Sequence, residues 1–307
     1  MAELIAKLRN HEAALISVPT VRKVVGWSAV IGGGVILAAD LLRSVALALQ
    51  NSSVLAAGVG ASAVAGLATG VGALAVVFLR NFTRRGQDGL MGFAAGVMLA
   101  ATVFSLLLPS LEAARSAMDS ATNAALFVGL ALLAGGGVLW LADRFLPHEH
   151  FVKPGRAQSE ARAKGLWLIV VAFALHNVPE GLAVGAGFAG GGQIGLATAI
   201  GIGIQNMPEG LVVAAALSML GRSVLVAIGV ATLTGLVEPL GALIGGTLAG
   251  LGAALLPATL AFAAGAMLFV ISHEMVPESH RSGNEGTATF GLLTGFVSML
   301  VLTSSFI

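Results

Sequence analysis

Two similar motifs place polar side chains inside apolar stretches of the chain, reading HNVPEG at 176–181 and QNMPEG at 205–210. Residues three and four apart share one side of a helix, so each motif presents its polar groups together. Imidazole beside carboxylate and amide oxygens suits a divalent transition metal better than sodium or calcium. The groups are His176, Asn177 and Glu180 in the first motif and Gln205, Asn206 and Glu209 in the second.

The carboxylates in these stretches have no basic residue that could neutralise them. Glu180, Glu209 and a third acid, Glu238, all lie in the interval 165–280, where Arg222 at a polar break is the one lysine or arginine. A charge inside a bilayer costs roughly 2.5–3.5 kcal/mol on insertion scales. The glutamates are therefore either protonated or neutralised by a mobile cation.

A proline lies beside each glutamate, namely Pro179, Pro208 and Pro239. A proline inside a helix removes a backbone hydrogen bond and frees the carbonyl four residues earlier, here that of Leu175 or Ile204. Transporters with inverted repeats commonly bind substrate on such broken helices near the membrane midplane. We therefore expect extra oxygen ligands beside the side chains.

The composition is that of an all-α polytopic membrane protein. Of 307 residues, 57% are hydrophobic and only 10% are charged, and the mean hydropathy is +0.94. These values exclude an ordinary soluble protein. The net charge of +1 gives no reason to expect nucleic acid as a partner, and the lack of cysteine leaves nitrogen and oxygen as the main metal donors. The pairs Gly66/Gly70 and Gly241/Gly245 have the spacing that allows close helix packing.

Nine apolar segments approach the ~20 residues that a bilayer requires. The first contains Asp40 and Arg43, so a helix on the membrane surface is an alternative there. The predicted domains are the N-terminal segment 1–24 and one transmembrane transporter domain, 25–307. The predicted spans are 25–49, 54–79, 90–111, 121–141, 165–188, 194–220, 223–250, 256–272 and 287–306.

The basic residues predict the orientation, because lysine and arginine concentrate in cytoplasmic loops. With these spans, every lysine and arginine except Arg43 and Arg115 falls on the same side of the membrane. The prediction is a multi-pass protein of the cell (inner) membrane whose N-terminus and loop 143–164 are cytoplasmic and whose C-terminus is outside. The lipid bilayer is thus one expected partner, and the sequence leaves a homodimer open.

Other residues have both a structural and a metal-related interpretation. His273 and Glu274 are either a solvated helix end or a station on a metal's exit path. His148 and His150 form either an incidental cluster in the loop or a weak site of metal capture. Met98 is either core packing or a soft thioether ligand.

Together, HNVPEG, QNMPEG, the EP of Glu238 and the HE at His273 resemble the ZIP family of divalent-metal transporters, particularly its bacterial members. The resemblance covers the chain from about Val54 to its C-terminus. It implies an eight-helix core in a 3+2+3 inverted repeat, with an extra N-terminal helix in some members. It also implies a centre for two metal ions.

The resemblance also implies a role for individual residues. One metal would be held by His176, Glu180, Gln205 and Glu209 with Met98 close by, and a second by Asn177, Asn206 and Glu238, with Glu180 and Glu209 bridging the two. Ser105 would lie toward the outer entrance, and His273 and Glu274 toward the cytoplasmic exit. Asn206 departs from the expected pattern of an aspartate, and the lost charge should weaken the second site.

We therefore expect an uptake transporter with Zn²⁺ as its substrate, working by elevator-like alternating access without an organic cofactor. Cd²⁺, Fe²⁺ and Mn²⁺ are the alternative substrates, since sites of mixed nitrogen and oxygen donors do not rank these metals. A proton-coupled carrier of another substrate is a second reading. An intramembrane metalloprotease would need H-E-x-x-H, which does not occur in the sequence, so we expect no enzyme.

Overall fold

A computed structural model describes residues 53–77, 83–145, 159–219, 221–252 and 255–305. The predicted segment 1–24, the predicted span 25–49 and the loop histidines His148 and His150 lie outside these ranges. Within them, every regular element is helical.

The helices are numbered here in chain order. A 3₁₀ turn at Ala75–Val77 follows α1, and π-helical segments at Ala101–Leu107 and Ile271–Met275 join α2 to α3 and α9 to α10. The helices are α1 Val54–Leu74, α2 Arg84–Ala100, α3 Leu108–Ala117, α4 Ala121–Phe145, α5 Ser159–Gly190, α6 Gly192–Met219, α7 Val224–Gly235, α8 Glu238–Gly250, α9 Leu255–Val270, α10 Val276–Ser279 and α11 Glu285–Ser304.

These helices form a polytopic membrane protein. In the part of the chain that the structure describes, seven continuous helical stretches are long and apolar enough to cross a bilayer. Helix α5, which is not among the seven, has 32 residues and thus also exceeds the ~20 that a bilayer requires. The predicted all-α membrane class is confirmed.

Several helices extend beyond the apolar segments that predicted them. The span predicted at 90–111 is a continuous stretch, Arg84–Ala117, and the one predicted at 256–272 continues to Ser279. Thr83 begins α2 because its hydroxyl accepts a hydrogen bond from the Gly86 amide, at 3.2 Å. Polar turns lengthen the helices on either side of loop 143–164 as well, since α4 ends at Phe145 and α5 begins at Ser159.

The prolines of the two motifs do not break their helices. Pro179 and Pro208 lie inside α5 and α6, which continue past them, and the oxygen ligands expected from the Leu175 and Ile204 carbonyls remain a prediction. The interruption is instead between α7 and α8, where Pro239 occupies the first turn of α8. A proline is tolerated there because the amide that it lacks has no partner within the helix.

Small residues allow the closest helix contacts. A side chain at Gly66 would overlap the backbone of Gly235 on α7, and one at Gly241 or Gly245 would overlap the backbone of α5. The predicted packing role of these glycines is confirmed at Gly66, Gly241 and Gly245. Gly70 likewise lies against Thr232 of α7.

The packing pattern repeats in the two halves of the chain. Helix α1 packs on α6 as α8 packs on α5, and α2 packs on α11 as α9 packs on α4. Both α2 and α9 also run into a π-helical segment. The first three spans thus correspond to the last three around the pair α5 and α6, which is the arrangement of a 3+2+3 repeat.

The same contacts divide the helices into two groups. We call α1, α5, α6, α7 and α8 the site group, and α2, α3, α4, α9, α10 and α11 with the two π-helical segments the frame group. Most packing lies within one group, and the main contacts between the groups join α5 to α9 and α2 to α6. Both sequence motifs belong to the site group.

Candidate metal centre

The two motifs and the start of α8 bring their polar side chains together inside the site group. Glu238 lies in the first turn of α8, where the partial positive charge of a helix N-terminus favours a carboxylate. All seven residues are buried, each with no more than 7% of its surface exposed. They are His176, Asn177 and Glu180 of α5, Gln205, Asn206 and Glu209 of α6, and Glu238 of α8.

Amide side chains link the carboxylates into one hydrogen-bonded network. The Gln205 Nε2 donates to Glu180 Oε1 at 2.5 Å and to Asn206 Oδ1 at 3.0 Å. The Asn206 Nδ2 donates to Glu238 Oε1 at 2.6 Å and to the backbone carbonyl of Ala65 on α1 at 2.9 Å. The network therefore connects α1, α5, α6 and α8.

Several polar atoms of this group remain open to a ligand. Within the described residues, Glu180 Oε2, Gln205 Oε1, Glu209 Oε1 and Glu238 Oε2 are buried without a hydrogen-bond partner, as are both polar atoms of the Asn177 side chain. Leaving such groups unsatisfied in an apolar interior is costly, and buried groups in native proteins are nearly always bonded. Five of these six atoms are oxygens, the donor type that a divalent cation can bind.

His176 is held from the frame group. Its Nε2 contacts Oε2 of Glu274, which lies on the π-helical segment Ile271–Met275. The ring also meets Phe173 edge-on, with centroids 5.6 Å apart. A carboxylate on one imidazole nitrogen fixes the ring and makes it a stronger ligand through the other nitrogen. This contact was not predicted from the sequence, where Glu274 is either part of a solvated helix end or a station on the exit path.

His273, the neighbour of Glu274, lies at a more exposed position. Its Nε2 is 3.6 Å from Asp143 Oδ2, and its ring stacks on Phe269 with centroids 4.9 Å apart. A narrow cleft of about 10 Å³, close to the space one water needs, is lined by His176, Glu274 and Asp143 among others. The two predicted exit residues thus lie next to the candidate centre.

Met98 and Ser105 lie on the frame group and are both buried. Met98 belongs to α2, and Ser105 belongs to the π-helical segment that follows it. In a regular α-helix their seven-residue spacing would place both on one face. The π-helical segment begins between them and changes that register.

The donors at the centre are of mixed type. Among the described residues, no three His, Asp or Glu side chains already form a cluster able to hold a metal ion. Amide groups intervene between the carboxylates, as Gln205 does beside Glu180. The buried side chains of α5, α6 and α8 supply imidazole, carboxylate and amide donors, a set that suits divalent transition metals.

Helix α1 contributes polar groups that the sequence analysis did not select. Besides the Ala65 carbonyl, the buried hydroxyls of Ser62 and Thr69 lie on α1 and have no hydrogen-bond partner among the described residues. The two hydroxyls are seven residues apart in an otherwise apolar helix, a spacing that keeps them on one face. That pattern is a signal that the sequence contained.

Comparison with known proteins agrees with the motifs. A profile of the family described as "ZIP Zinc transporter" matches residues 153–303. The chain is 48% identical over 250 residues to zinc transporter GufA of Myxococcus xanthus, covering 81% of this chain and 98% of that protein. It is 42% identical over 239 residues to zinc transporter ZIPB of Bordetella bronchiseptica, covering 78% of this chain and 77% of that protein. It is 33% identical over 316 residues to zinc transporter ZIP11 of Homo sapiens, covering 76% of this chain and 92% of that protein.

Proposed function

Because the chain belongs to the ZIP family of zinc transporters, we propose that it carries Zn²⁺ through the membrane into the cytoplasm as its substrate. The observation that carries the proposal is the group of buried oxygens at the two motifs, which have no hydrogen-bond partner among the described residues. A divalent cation would satisfy these oxygens and neutralise the acids among them. Zinc is also what the names of the similar proteins give as substrate.

The proposed binding site is made by His176, Glu180, Gln205 and Glu209. Two carboxylates balance the charge of one divalent ion, which lowers the penalty of moving it into the membrane interior. Gln205 uses its nitrogen to hold Glu180 and keeps its oxygen for the ion. The thioether of Met98 is the proposed neighbour from the frame group and would favour softer metals such as Cd²⁺.

The family resemblance implies a second ion, held by Asn177, Asn206 and Glu238 and sharing Glu180 and Glu209 with the first. The chain has an amide at position 206, where a carboxylate would add charge. The first position keeps its imidazole and both its carboxylates. We therefore assign transport to the first position.

Two cavities support a path through this site. One, of about 400 Å³, is lined by Phe104, Glu112 and Thr303 among others, and Phe104 directly precedes the predicted entrance residue Ser105 in the chain. The other is the cleft that His176 shares with Asp143, a residue of the predicted cytoplasmic loop. The positive-inside rule assigns that loop to the cytoplasm, so under the proposed inward direction this cleft would lie at the exit.

The division into two helix groups supports alternating access of the elevator type. The side chains proposed to hold the ion all belong to the site group, while Glu274 and Met98 belong to the frame group. Displacement of the site group would carry the ion and would make or break the contact between His176 and Glu274. Movement of one helix bundle against another is the general expectation for inverted-repeat transporters.

Zinc uptake into sealed proteoliposomes tests the proposal. The full chain is reconstituted as wild type, as Glu180→Ala and as Glu285→Ala, and an internal zinc-sensitive dye reports entrance of the ion. Glu285 is an exposed acid at the start of α11 and serves as the matched control. We expect saturable uptake in the wild type and in Glu285→Ala, and its loss in Glu180→Ala.

The alternative of a proton-coupled carrier predicts a different pattern. A carboxylate path for protons would survive His176→Ala better than a metal site would. If the wild type takes up none of Zn²⁺, Cd²⁺, Fe²⁺ and Mn²⁺ but acidifies the lumen, and His176→Ala does the same, the metal-transport proposal is wrong.

A further inference from the structure

Asn206 is hydrogen-bonded to Glu238, beside which the family resemblance implies a second ion. We propose, resting on the function above, that its amide takes the place of that second cation, so that the chain binds and carries one metal ion at a time. Asn206 is then a positioning residue that also sets the number of ions. Its contacts to α1, α6 and α8 carry the inference.

The orientation of the Asn206 amide is fixed by its neighbours. A backbone carbonyl can only accept hydrogen bonds, so the atom 2.9 Å from the Ala65 oxygen must be the nitrogen. The second proton of this nitrogen points to Glu238 Oε1 at 2.6 Å. The oxygen of the amide faces the Gln205 Nε2 at 3.0 Å. Both protons are thus used, and one of the two lone pairs of the oxygen is engaged.

A metal ion held between the Asn206 oxygen and Glu238 Oε1 would need the opposite orientation. An asparagine binds a metal through its oxygen, and rotating the amide to present that oxygen to the ion would turn it toward the Ala65 and Glu238 oxygens. Oxygen would then face oxygen with no proton between them, and the bonds to Ala65 and Glu238 would be lost. Gln205 differs, because its oxygen is open in the present orientation.

The fold brings the Ala65 carbonyl to this point. The next residue, Gly66, packs directly on Gly235 of α7, and a Cβ at Gly66 would lie 3.3 Å from Glu238 Oε1. Helix α1 therefore approaches the start of α8 closely enough for one amide to join both. The position of the carbonyl that Asn206 contacts is therefore set by the packing of the helix backbones.

Charge does not favour a second ion. Two Zn²⁺ ions carry four positive charges against the three buried carboxylates of Glu180, Glu209 and Glu238, so a pair would leave one positive charge in excess. One ion against the same carboxylates leaves one negative charge in excess. The Asn206 amide lowers the cost of that negative charge, because it donates a hydrogen bond to Glu238. A carboxylate at position 206 would instead balance two ions.

The test counts the ions and asks whether they are neighbours. Zinc bound per chain is measured by equilibrium dialysis on the full-length wild type, Asn206→Asp and Asn123→Asp. Asn123 is an exposed asparagine at the start of α4 and controls for the added charge alone. Zinc bound at the candidate centre is the amount that disappears when His176→Ala, Glu180→Ala or Glu238→Gln is introduced. Zinc bound at the protein surface remains in these variants.

Cobalt provides an independent readout. Zn²⁺ has a filled d shell and no unpaired electron, so Co²⁺ is added in its place and examined by electron paramagnetic resonance. Two Co²⁺ ions bridged by carboxylates show spin coupling, whereas ions at separate sites do not. We expect an uncoupled spectrum for the wild type and Asn123→Asp, and a coupled spectrum for Asn206→Asp.

Each outcome has a separate meaning. The inference is supported if the wild type binds one ion and Asn206→Asp binds two. Adding Glu238→Gln to Asn206→Asp should then remove the second ion. A coupled pair in the wild type, with one ion lost on Glu238→Gln, would overturn it and leave the proposed transport function intact. No ion dependent on His176 or Glu180 in the wild type would overturn the proposed function itself.

The number of zinc ions bound by Asn206→Asp is meaningful only if this variant folds. Elution as a single peak in size-exclusion chromatography checks that it does. If it does not fold, the Glu238→Gln variant decides alone. Under our proposal Glu238 holds no ion in the wild type, so Glu238→Gln keeps the single ion. Loss of an ion in that variant contradicts the proposal.

Discussion

His176 Nε2 contacts Glu274 Oε2 across the boundary between the two helix groups. His176 lies on α5 with the candidate metal ligands, whereas Glu274 lies on the π-helical segment that ends α9. The contact joins the proposed binding site to the part of the molecule that would remain still during transport. It therefore offers a means to tune both the affinity of the site and the release of the ion.

Glu274→Gln is expected to weaken zinc binding by roughly 10–100-fold, the usual effect of removing an outer partner of a ligating histidine. The amide keeps the size of the side chain but loses the charge that polarises the imidazole. Competition of a zinc-sensitive dye measures the affinity. Glu278→Gln is the control, because this acid lies one turn further on, 3.3 Å from Arg281, and should leave the affinity unchanged. Equal effects of the two substitutions would reject the role of Glu274.

The pH dependence follows from the imidazole ligand. Metal binding requires a neutral ring, and imidazole is the side chain that ordinarily changes charge between pH 5 and 8. Protons compete with zinc for His176, so affinity is highest at the alkaline end and falls as the pH drops. Dye competition from pH 8 to pH 5 measures it. A flat profile over that range would show that His176 is not a ligand.

Close packing at the motif predicts a stability effect. A side chain at Gly181 would overlap the backbone carbonyl of Glu238 on α8. Gly181→Ala should therefore push α5 from α8 and lower the free energy of unfolding by roughly 1–3 kcal/mol, as overpacking does. Gly229→Ala is the control, since nothing lies within 4 Å of a Cβ there. The melting temperatures of Gly181→Ala and Gly229→Ala are measured in detergent. Similar melting temperatures for the two variants would contradict the packing argument.

Features that depend on neighbouring residues in the sequence were predictable. The length of apolar segments predicts membrane spans, and the two motifs are specific enough to indicate the family. The comparisons confirm that family, whose members are transporters, so the expectation that the chain is not an enzyme is also confirmed. The membrane class is confirmed by the helices of the structure.

Contacts between distant helices were not predictable. Nothing in the sequence near Glu274 indicates that it meets His176, almost one hundred positions away. The bond from Asn206 to the Ala65 carbonyl involves a backbone atom, which no side-chain pattern reports. Helix ends were also missed, because hydropathy reports the apolar part of a helix and α2 continues through polar turns from Arg84. The assignment of individual metal ligands remains a prediction.

Met98 provides a test of metal preference. Leucine has nearly the volume of methionine, so Met98→Leu should preserve the packing of this buried position. A thioether binds soft metals more strongly than it binds zinc. We therefore expect the substitution to weaken Cd²⁺ binding clearly more than Zn²⁺ binding. Isothermal titration with each metal measures the difference. Identical losses for the two metals would mean that Met98 is not a ligand.

Cysteine pairs test whether the two helix groups move against each other, and the absence of native cysteine makes the chain suited to it. A Cβ at Gly201 on α6 would lie 3.9 Å from Cγ of Met299 on α11, so Gly201→Cys with Met299→Cys links the site group to the frame group. Oxidation of this pair should abolish zinc uptake in proteoliposomes, and reduction should restore it. The control pair, Leu55→Cys with Gly246→Cys, joins α1 to α8 within the site group, where a Cβ at Gly246 lies 2.9 Å from Leu55 Cδ1. Its oxidation should leave uptake unchanged, because helices that move together tolerate a link. Full uptake with the first pair oxidised would show that transport does not need displacement at this boundary.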